Sequence, residues 1–296
     1  MRMEPVETSE ADAAHWAAVM AAEGTRVPQD WAVALSHLQR SAELGSRLAQ
    51  AELAGLSGDW ALAHRILAGE AVAESWWSKF HDAIDIAHWF TECPVVTVSD
   101  APRLRAIPAL APPEICDWLI ARSLPRLEAA QVYEFDGKEG NLRSAVDRTN
   151  SVCVFGGRDR DIIIAILRAR IGQVIPADVR AMEPPEVLRY RIGQEYRRHY
   201  DRPADPNAPD IRKRMISLLI SLTGDYDGGE TDFPLAGRRW KGRKGNAIFF
   251  WNVMPDGTRD RLTLHAALPI TRGEKWILTQ FIDQPRDSGG AGEATG

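Results

Sequence analysis

An α+β architecture is what this sequence predicts: an all-α N-terminal region, then a double-stranded β-helix (jelly roll) flanked by helices. Three observations predict it. Residues 11–90 are rich in alanine and leucine, with apolar side chains at three- and four-residue steps, the period of a helix. From residue 186 onward the pattern changes to short β segments separated by turn chemistry. Between the two lie helical stretches suited to cover one side of a curled sheet.

Taken in order, the helical region is punctuated by Gly24, Gly45, Gly55 and Gly58. Residues 24–45 resemble one Sel1-like repeat and residues 49–53 the start of another. One and a half repeats are too few for a solenoid, since each needs neighbours to bury its apolar face, so a helical cap is favoured over a partner-binding module. His81, Asp85 and His88 fall at i, i+4 and i+7 of an expected helix flanked by Trp76, Trp77 and Trp89; with nothing to complete a site, they read as the polar face of a packing helix. Proline at 94 ends the helical region, and residues 95–98 read as a strand. Pro112 and Pro113 open a helix to about Ser123, and residues 159–172 form another, with Ile162, Ile163, Ile166 and Leu167 turned to the core. Strands are expected at 186–192, 195–201, 215–222, 247–251, 261–265 and 275–283. The domain division that follows is 1–92 helical, 93–285 sheet domain, and 286–296 a flexible tail rich in glycine.

The chain has 296 residues and 45% hydrophobic content, enough for one large or two modest cores. A net charge of −5 gives no argument for nucleic acid or an acidic membrane. The basic run 237–245 around Trp240 reads as a solvated hairpin, so no nucleic-acid partner is expected. Cys93, Cys116 and Cys153 suggest neither a disulfide framework nor a zinc knuckle, and reduced thiols in a cytoplasm are expected. The first residues lack the apolar core of a signal peptide, and no stretch is long enough to span a bilayer, so no membrane partner is expected. Walker, dinucleotide-binding, nucleophile-elbow and zincin motifs are missing from the sequence. Loops at 135–150 and 202–210 are candidates to shape the mouth of a barrel, the first as a lid.

Chemistry concentrates at His199-Tyr200-Asp201 and His265. Positions i and i+2 of a strand share a face, so His199 and Asp201 can hold one ion together. His265 joins them if the sheet curls back on itself. Two imidazoles and one carboxylate are the donor set of a non-haem Fe(II) site with positions open to dioxygen. A His-x-Asp pair alone is weak, because most such pairs are hydrogen-bonded surface residues; the surroundings decide.

The run Val187-Leu-Arg-Tyr190-Arg-Ile-Gly193-Gln-Glu-Tyr-Arg-Arg-His199-Tyr-Asp201 resembles the first half of the prolyl 4-hydroxylase-type 2-oxoglutarate/Fe(II) oxygenase signature. Asp227-Gly-Gly-Glu-Thr-Asp-Phe-Pro234, Lys244-Gly-Asn-Ala-Ile-Phe-Phe-Trp251 and His265-Ala-Ala-Leu-Pro-Ile-Thr-Arg-Gly-Glu-Lys-Trp276 follow in that family's order. The resemblance is strong over 186–283 and fainter over 104–120. It implies that His199, Asp201 and His265 ligate iron and that Lys275 meets the distal carboxylate of 2-oxoglutarate. A lysine facing inward without an anion would cost several kcal/mol. Tyr190, nine positions before His199, stands where the family has a tyrosine that can hydrogen-bond the cosubstrate; Thr279 shares a strand face with Lys275 and is a candidate for the same carboxylate. Ala267 replaces a common glycine and Phe281 a common tryptophan, which bears on pocket shape rather than reaction class.

The implied activity is hydroxylation of a C–H bond coupled to conversion of 2-oxoglutarate to succinate and CO2, with Fe(II) and 2-oxoglutarate as cofactors and ascorbate as a reductant. The implied partners are dioxygen and a protein, peptide or amino-acid-like substrate, a prolyl residue being the first expectation. Arg148 and Arg214 are candidate substrate contacts. A hydroxylase of a free amino acid or natural-product intermediate would share the metal residues, whereas a non-catalytic helical adaptor would predict a broken ligand set.

Overall fold

The computed structural model describes residues 9–135, 140–144, 147–175, 177–202 and 214–283. They fall into two compact units: Met1–Cys93 with Leu110–Pro125 and Phe155–Ile175, and Pro94–Ala109 with Arg126–Val154 and Pro176–Gly296. The expected tail, and most of the two loops expected at the barrel mouth, lie outside the described residues. Among the described residues no helix is long and apolar enough to cross a membrane.

The first unit is helical: α1 Glu10–Glu23, α2 Trp31–Glu43, α3 Arg47–Leu56, α4 Trp60–Leu67, α5 Trp76–Ala83, α6 Pro113–Ser123 and α7 Ile162–Val174. Ser9, Asp30, Ser46, Asp59 and Asp161 each accept a backbone N–H of the first turn they precede, which is why these helices start where they do. In α7 the residues from Ile162 to Leu167 are all buried; a helix apolar on every side is a core element. Glu52 of α3, fully buried, accepts from His15 Nε2 at 2.6 Å and from the Ile162 N–H at 2.6 Å, tying α1, α3 and α7 together. Asp161 likewise accepts from Trp118 Nε1 at 3.0 Å and Arg122 Nε at 3.2 Å, both on α6.

One expected helix is interrupted. α5 stops at Ala83, and Asp85 caps a separate 3-10 turn, Ile86–Phe90, by accepting from the Ala87 N–H at 3.0 Å. His81, Asp85 and His88 therefore do not share one helical face; the aspartate's local hydrogen bond outcompetes helix continuation.

The second unit is built of strands: β1 Val96–Asp100, β2 Arg103–Ile107, β3 Glu128–Ala129, β4 Gln131–Phe135, β5 Gly140–Ser144 and β6 Ser151–Val154. They continue with β7 Glu186–Tyr190, β8 Tyr196–His199, β9 Arg214–Ser221, β10 Tyr226–Gly228, β11 Thr231–Phe233 and β12 Arg238–Trp240. The last four are β13 Ala247–Trp251, β14 His265–Ala267, β15 Ile270–Gly273 and β16 Lys275–Asp283. An eight-stranded sheet runs β1-β2-β13-β9-β16-β7-β6-β3, and a four-stranded sheet runs β12-β11-β14-β8. Leu188, Leu219, Phe250 and Ile277 from the first pack with Phe233 and Ala267 from the second in one buried cluster, the jelly-roll core.

Two expectations are corrected. Residues 261–265 begin as a 3-10 turn, Arg261–Thr263, because Asp260 accepts from the Leu262 N–H, and β14 starts only at His265. Gly140 and Asn141, expected in a lid loop, belong to β5, paired with β4.

Candidate active site

The triad is assembled by strand register. In the antiparallel pair β8–β14, His265 lies directly opposite His199, which puts both imidazoles on one face with ring centroids 4.3 Å apart. Asp201 follows two residues after His199. Its Oδ1 is 3.5 Å from His199 Nε2 and its Oδ2 3.6 Å from His265 Nε2. The ligand-capable atoms of the three side chains all lie within 4.8 Å of one another.

Tautomers follow from the carbonyls. His199 Nδ1 is 2.8 Å from Arg197 O, and His265 Nδ1 is 2.9 Å from Thr263 O. A carbonyl only accepts, so each Nδ1 carries the proton and each Nε2 presents a lone pair toward Asp201. Burial pushes the His265 pKa down to about 4, with His199 and Lys275 adding to it and Asp201 opposing. Burial would raise the Asp201 carboxyl, but His265, His199 and Arg214 outweigh it and hold it below the usual carboxylate range. Two imidazoles, that of His265 disfavoured from protonation by burial, beside one carboxylate make a donor set that fits Fe(II).

Lys275 opens β16 opposite Tyr190 of β7. The residue is 2% exposed, and its ammonium donates to Gly229 O at 2.7 Å and sits 5.3 Å from the Tyr190 ring centroid. Among the described residues no carboxylate pairs with it. Burial pushes its pKa down to about 8, against the pull of Glu230. The double glycine makes that contact possible: Gly228 and Gly229 have φ of 71° and 68°, and a Cβ on Gly229 would lie 2.3 Å from Ile270 Cδ1. A buried cation without an anion, facing the triad's cavity, fits the distal carboxylate of 2-oxoglutarate.

The cavity, about 620 Å³ with its open mouth, is lined by every residue the sequence put forward for the metal, the cosubstrate or the substrate: the triad, Tyr190, Lys275, Thr279, Arg148 and Arg214. Tyr190 is buried, and its hydroxyl bonds no described residue; burial pushes its pKa up. Thr279 does share the Lys275 face, but it lies opposite Glu186, roughly 13 Å along the strand, and so meets the cavity at a different place from the ammonium. Arg214 is held by Glu183 through two bonds of 2.6 and 2.8 Å and stacks 3.4 Å over Phe281. Arg148 lies 3.5 Å from Glu186 and over the Tyr196 ring. Phe281 and Ala267, where the sequence departs from the family pattern, also line the cavity.

Among the lining residues that the sequence reading did not single out are Thr231 and Tyr196. Thr231, buried on β11, sits in the quoted Gly-Gly-Glu-Thr segment, which was its signal. Tyr196 stacks on His199 at 3.6 Å and 13°, and no local pattern announces it.

Comparison with known proteins bears on the same region. Residues 185–283 match the 2OG-Fe(II) oxygenase superfamily. Prolyl 4-hydroxylase 1 of Arabidopsis thaliana is 33% identical over 206 residues, covering 64% of this chain and 72% of that protein. The chain belongs to the prolyl 4-hydroxylase family. Prolyl 4-hydroxylase 13 of the same plant is 28% identical over 223 residues, 70% of this chain and 80% of the relative. A solved structure, the viral collagen prolyl hydroxylase vCPH from Paramecium Bursaria Chlorella virus-1 with 2OG, aligns at TM-score 0.48 and 27% identity, covering 62% of this chain and 98% of the other. As a member of the prolyl 4-hydroxylase family this protein is a 2-oxoglutarate-dependent dioxygenase, with Fe(II) and 2-oxoglutarate as its cofactors.

Proposed function

We propose that the protein hydroxylates a prolyl residue in a protein or peptide, with His199, Asp201 and His265 holding Fe(II) and Lys275 anchoring 2-oxoglutarate. The observation that carries the reading is one cavity lined by both a triad of two imidazoles and one carboxylate and a buried ammonium with no carboxylate partner among the described residues. When bound, iron and 2-oxoglutarate together supply an oxidant able to hydroxylate an unactivated C–H bond, ascorbate serving as a reductant. The chain's own residues bind and orient. Lys275 and Tyr190 fix one end of the cosubstrate, and Phe233 and Phe250, packed 5.6 and 5.2 Å from the His265 ring, keep that ligand dry and rigid. Arg148 and Arg214, at the same cavity, are the substrate-facing cations of this reading. The prolyl assignment is supported by relatives named prolyl 4-hydroxylases. We read the Sel1-like segment 24–45, which spans α2, as part of a helical packing unit rather than a repeat array.

The test is succinate release together with mass spectrometry of the product. Proline-containing peptides should gain one oxygen on proline, and Asp201→Ala should abolish this while leaving the circular dichroism spectrum unchanged. Turnover confined to free amino acids would overturn the substrate class. Full 2-oxoglutarate decarboxylation by Asp201→Ala would overturn the metal site.

A further inference from the structure

We infer that Ser217, itself held by Asn252, is a positioning residue that orients the Asp201 carboxylate and so tunes the metal centre; the inference rests on the iron-site reading above. Ser217 Oγ lies 2.7 Å from Asp201 Oδ2, and Asn252 Nδ2 lies 2.8 Å from Ser217 Oγ. The direction of this relay is set by chemistry. An ionised carboxylate only accepts, so the Ser217 proton points to Asp201, and the Ser217 oxygen must then accept from the Asn252 amide. Turning the amide over would place a carbonyl oxygen against a hydroxyl oxygen whose proton is already committed.

The relay is rigid at its far end. Asn252, just past β13, donates its backbone N–H to Met215 O at 2.8 Å, and its carbonyl accepts from the Asp260 N–H at 2.9 Å. Ser217 on β9 and Asn252 are 0% and 1% exposed, so bulk solvent does not reach either side chain. The Asn252 Oδ1 is buried without a hydrogen bond. Packing alone would favour an apolar residue there, because an unpaired buried acceptor is costly; the amide is explained by what its Nδ2 holds. Fixing Oδ2 through Ser217 stops the carboxylate from rotating and leaves Oδ1, 3.5 Å from His199 Nε2, as the oxygen free to ligate.

The experiment titrates the full-length metal-free protein with Co(II) by calorimetry, alongside metal-free melting curves. Ser217→Ala and Asn252→Ala should weaken Co(II) affinity on the order of 10–100-fold, the usual loss when an outer partner of a ligand is removed. Ser217→Thr, which keeps the hydroxyl, should restore affinity to near that of the unaltered protein. If Ser217→Ala lowers only the melting temperature and binds Co(II) as tightly as before, the residue is structural and the inference is overturned. A folded Ser217→Thr as weak as Ser217→Ala overturns it equally. Failure of the unaltered protein to bind Co(II) is a different result, which overturns the metal-centre reading and this inference together.

Discussion

Replacing Lys275 by methionine removes one buried charge while keeping most of the side-chain volume, and it should move stability and cosubstrate affinity in opposite directions. Burial lowers the ammonium pKa from 10.5 to about 8 in the folded protein. That difference corresponds to roughly 3 kcal/mol against holding the charge inside. Because the folded pKa lies below the unfolded one, the unfolded chain binds the proton more tightly. The penalty is therefore fully present below about pH 8 and disappears as pH climbs toward 10.5. Losing the hydrogen bond to Gly229 O returns about 1 kcal/mol of it, so Lys275→Met should stabilise the cosubstrate-free protein near pH 7 by roughly 2 kcal/mol, an advantage that vanishes near pH 10. Urea denaturation at the two pH values measures it. Affinity should go the other way: a carboxylate left without its buried partner loses roughly 2–5 kcal/mol, about 30-fold to several thousandfold in dissociation constant. Anaerobic titration of the Fe(II)-loaded protein with 2-oxoglutarate, followed by the weak visible charge-transfer band, reads that loss. An unchanged affinity refutes the placement of Lys275 at the cosubstrate.

Two further outcomes are expected. Burial lowers the His265 pKa from 6.5 to about 4, so the unfolded chain binds the proton more tightly, and the metal-free protein should lose up to roughly 3 kcal/mol as pH falls from 6.5 toward 4. His265→Gln should flatten that slope; a melting temperature identical in both proteins across the window would contradict it. In the helical unit, Glu52→Ala leaves His15 and the Ile162 N–H without their buried acceptor and should cost about 3–5 kcal/mol in urea denaturation. A loss below about 1 kcal/mol would mean the network contributes little.

The sequence showed the long elements and the site more readily than the grouping of helices. Strand β16 was legible from end to end because it runs nine residues, long enough for a pattern to register. β10, β11 and β12, three residues each, offer too few positions for alternation to be seen. The candidate metal residues were legible through the family resemblance rather than through spacing, since His199 and Asp201 share only a weak i, i+2 pattern and His265 is tied to them by the β8–β14 register, which residue order does not carry. The relay from Asn252 through Ser217 was not, because its members lie 35 and 16 positions from their partners and have no local signature. The bonds from Glu52 to Ile162 and from Asp161 to Trp118 join helices far apart in the chain, and no periodicity within either helix reports them.

Several residues of the sheet unit that break ordinary folding rules lie at or next to its cavity. Lysine, aspartate and histidine are disfavoured inside a β core, yet Lys275, Asp201 and His265 line one cavity with their pKa values shifted. Positive φ is tolerated at Gly228 and Gly229, where it brings a carbonyl to the lysine, and an unpaired amide oxygen is tolerated at Asn252, where it accompanies the hold on Asp201. A core selected for stability alone would have removed the Lys275 ammonium, whose lowered pKa marks a cost to the ligand-free protein at neutral pH. That cost is recovered when a dicarboxylate meets the ammonium and a cation meets the triad in the same cavity. Fe(II) and 2-oxoglutarate together should therefore raise the melting temperature by more than either alone.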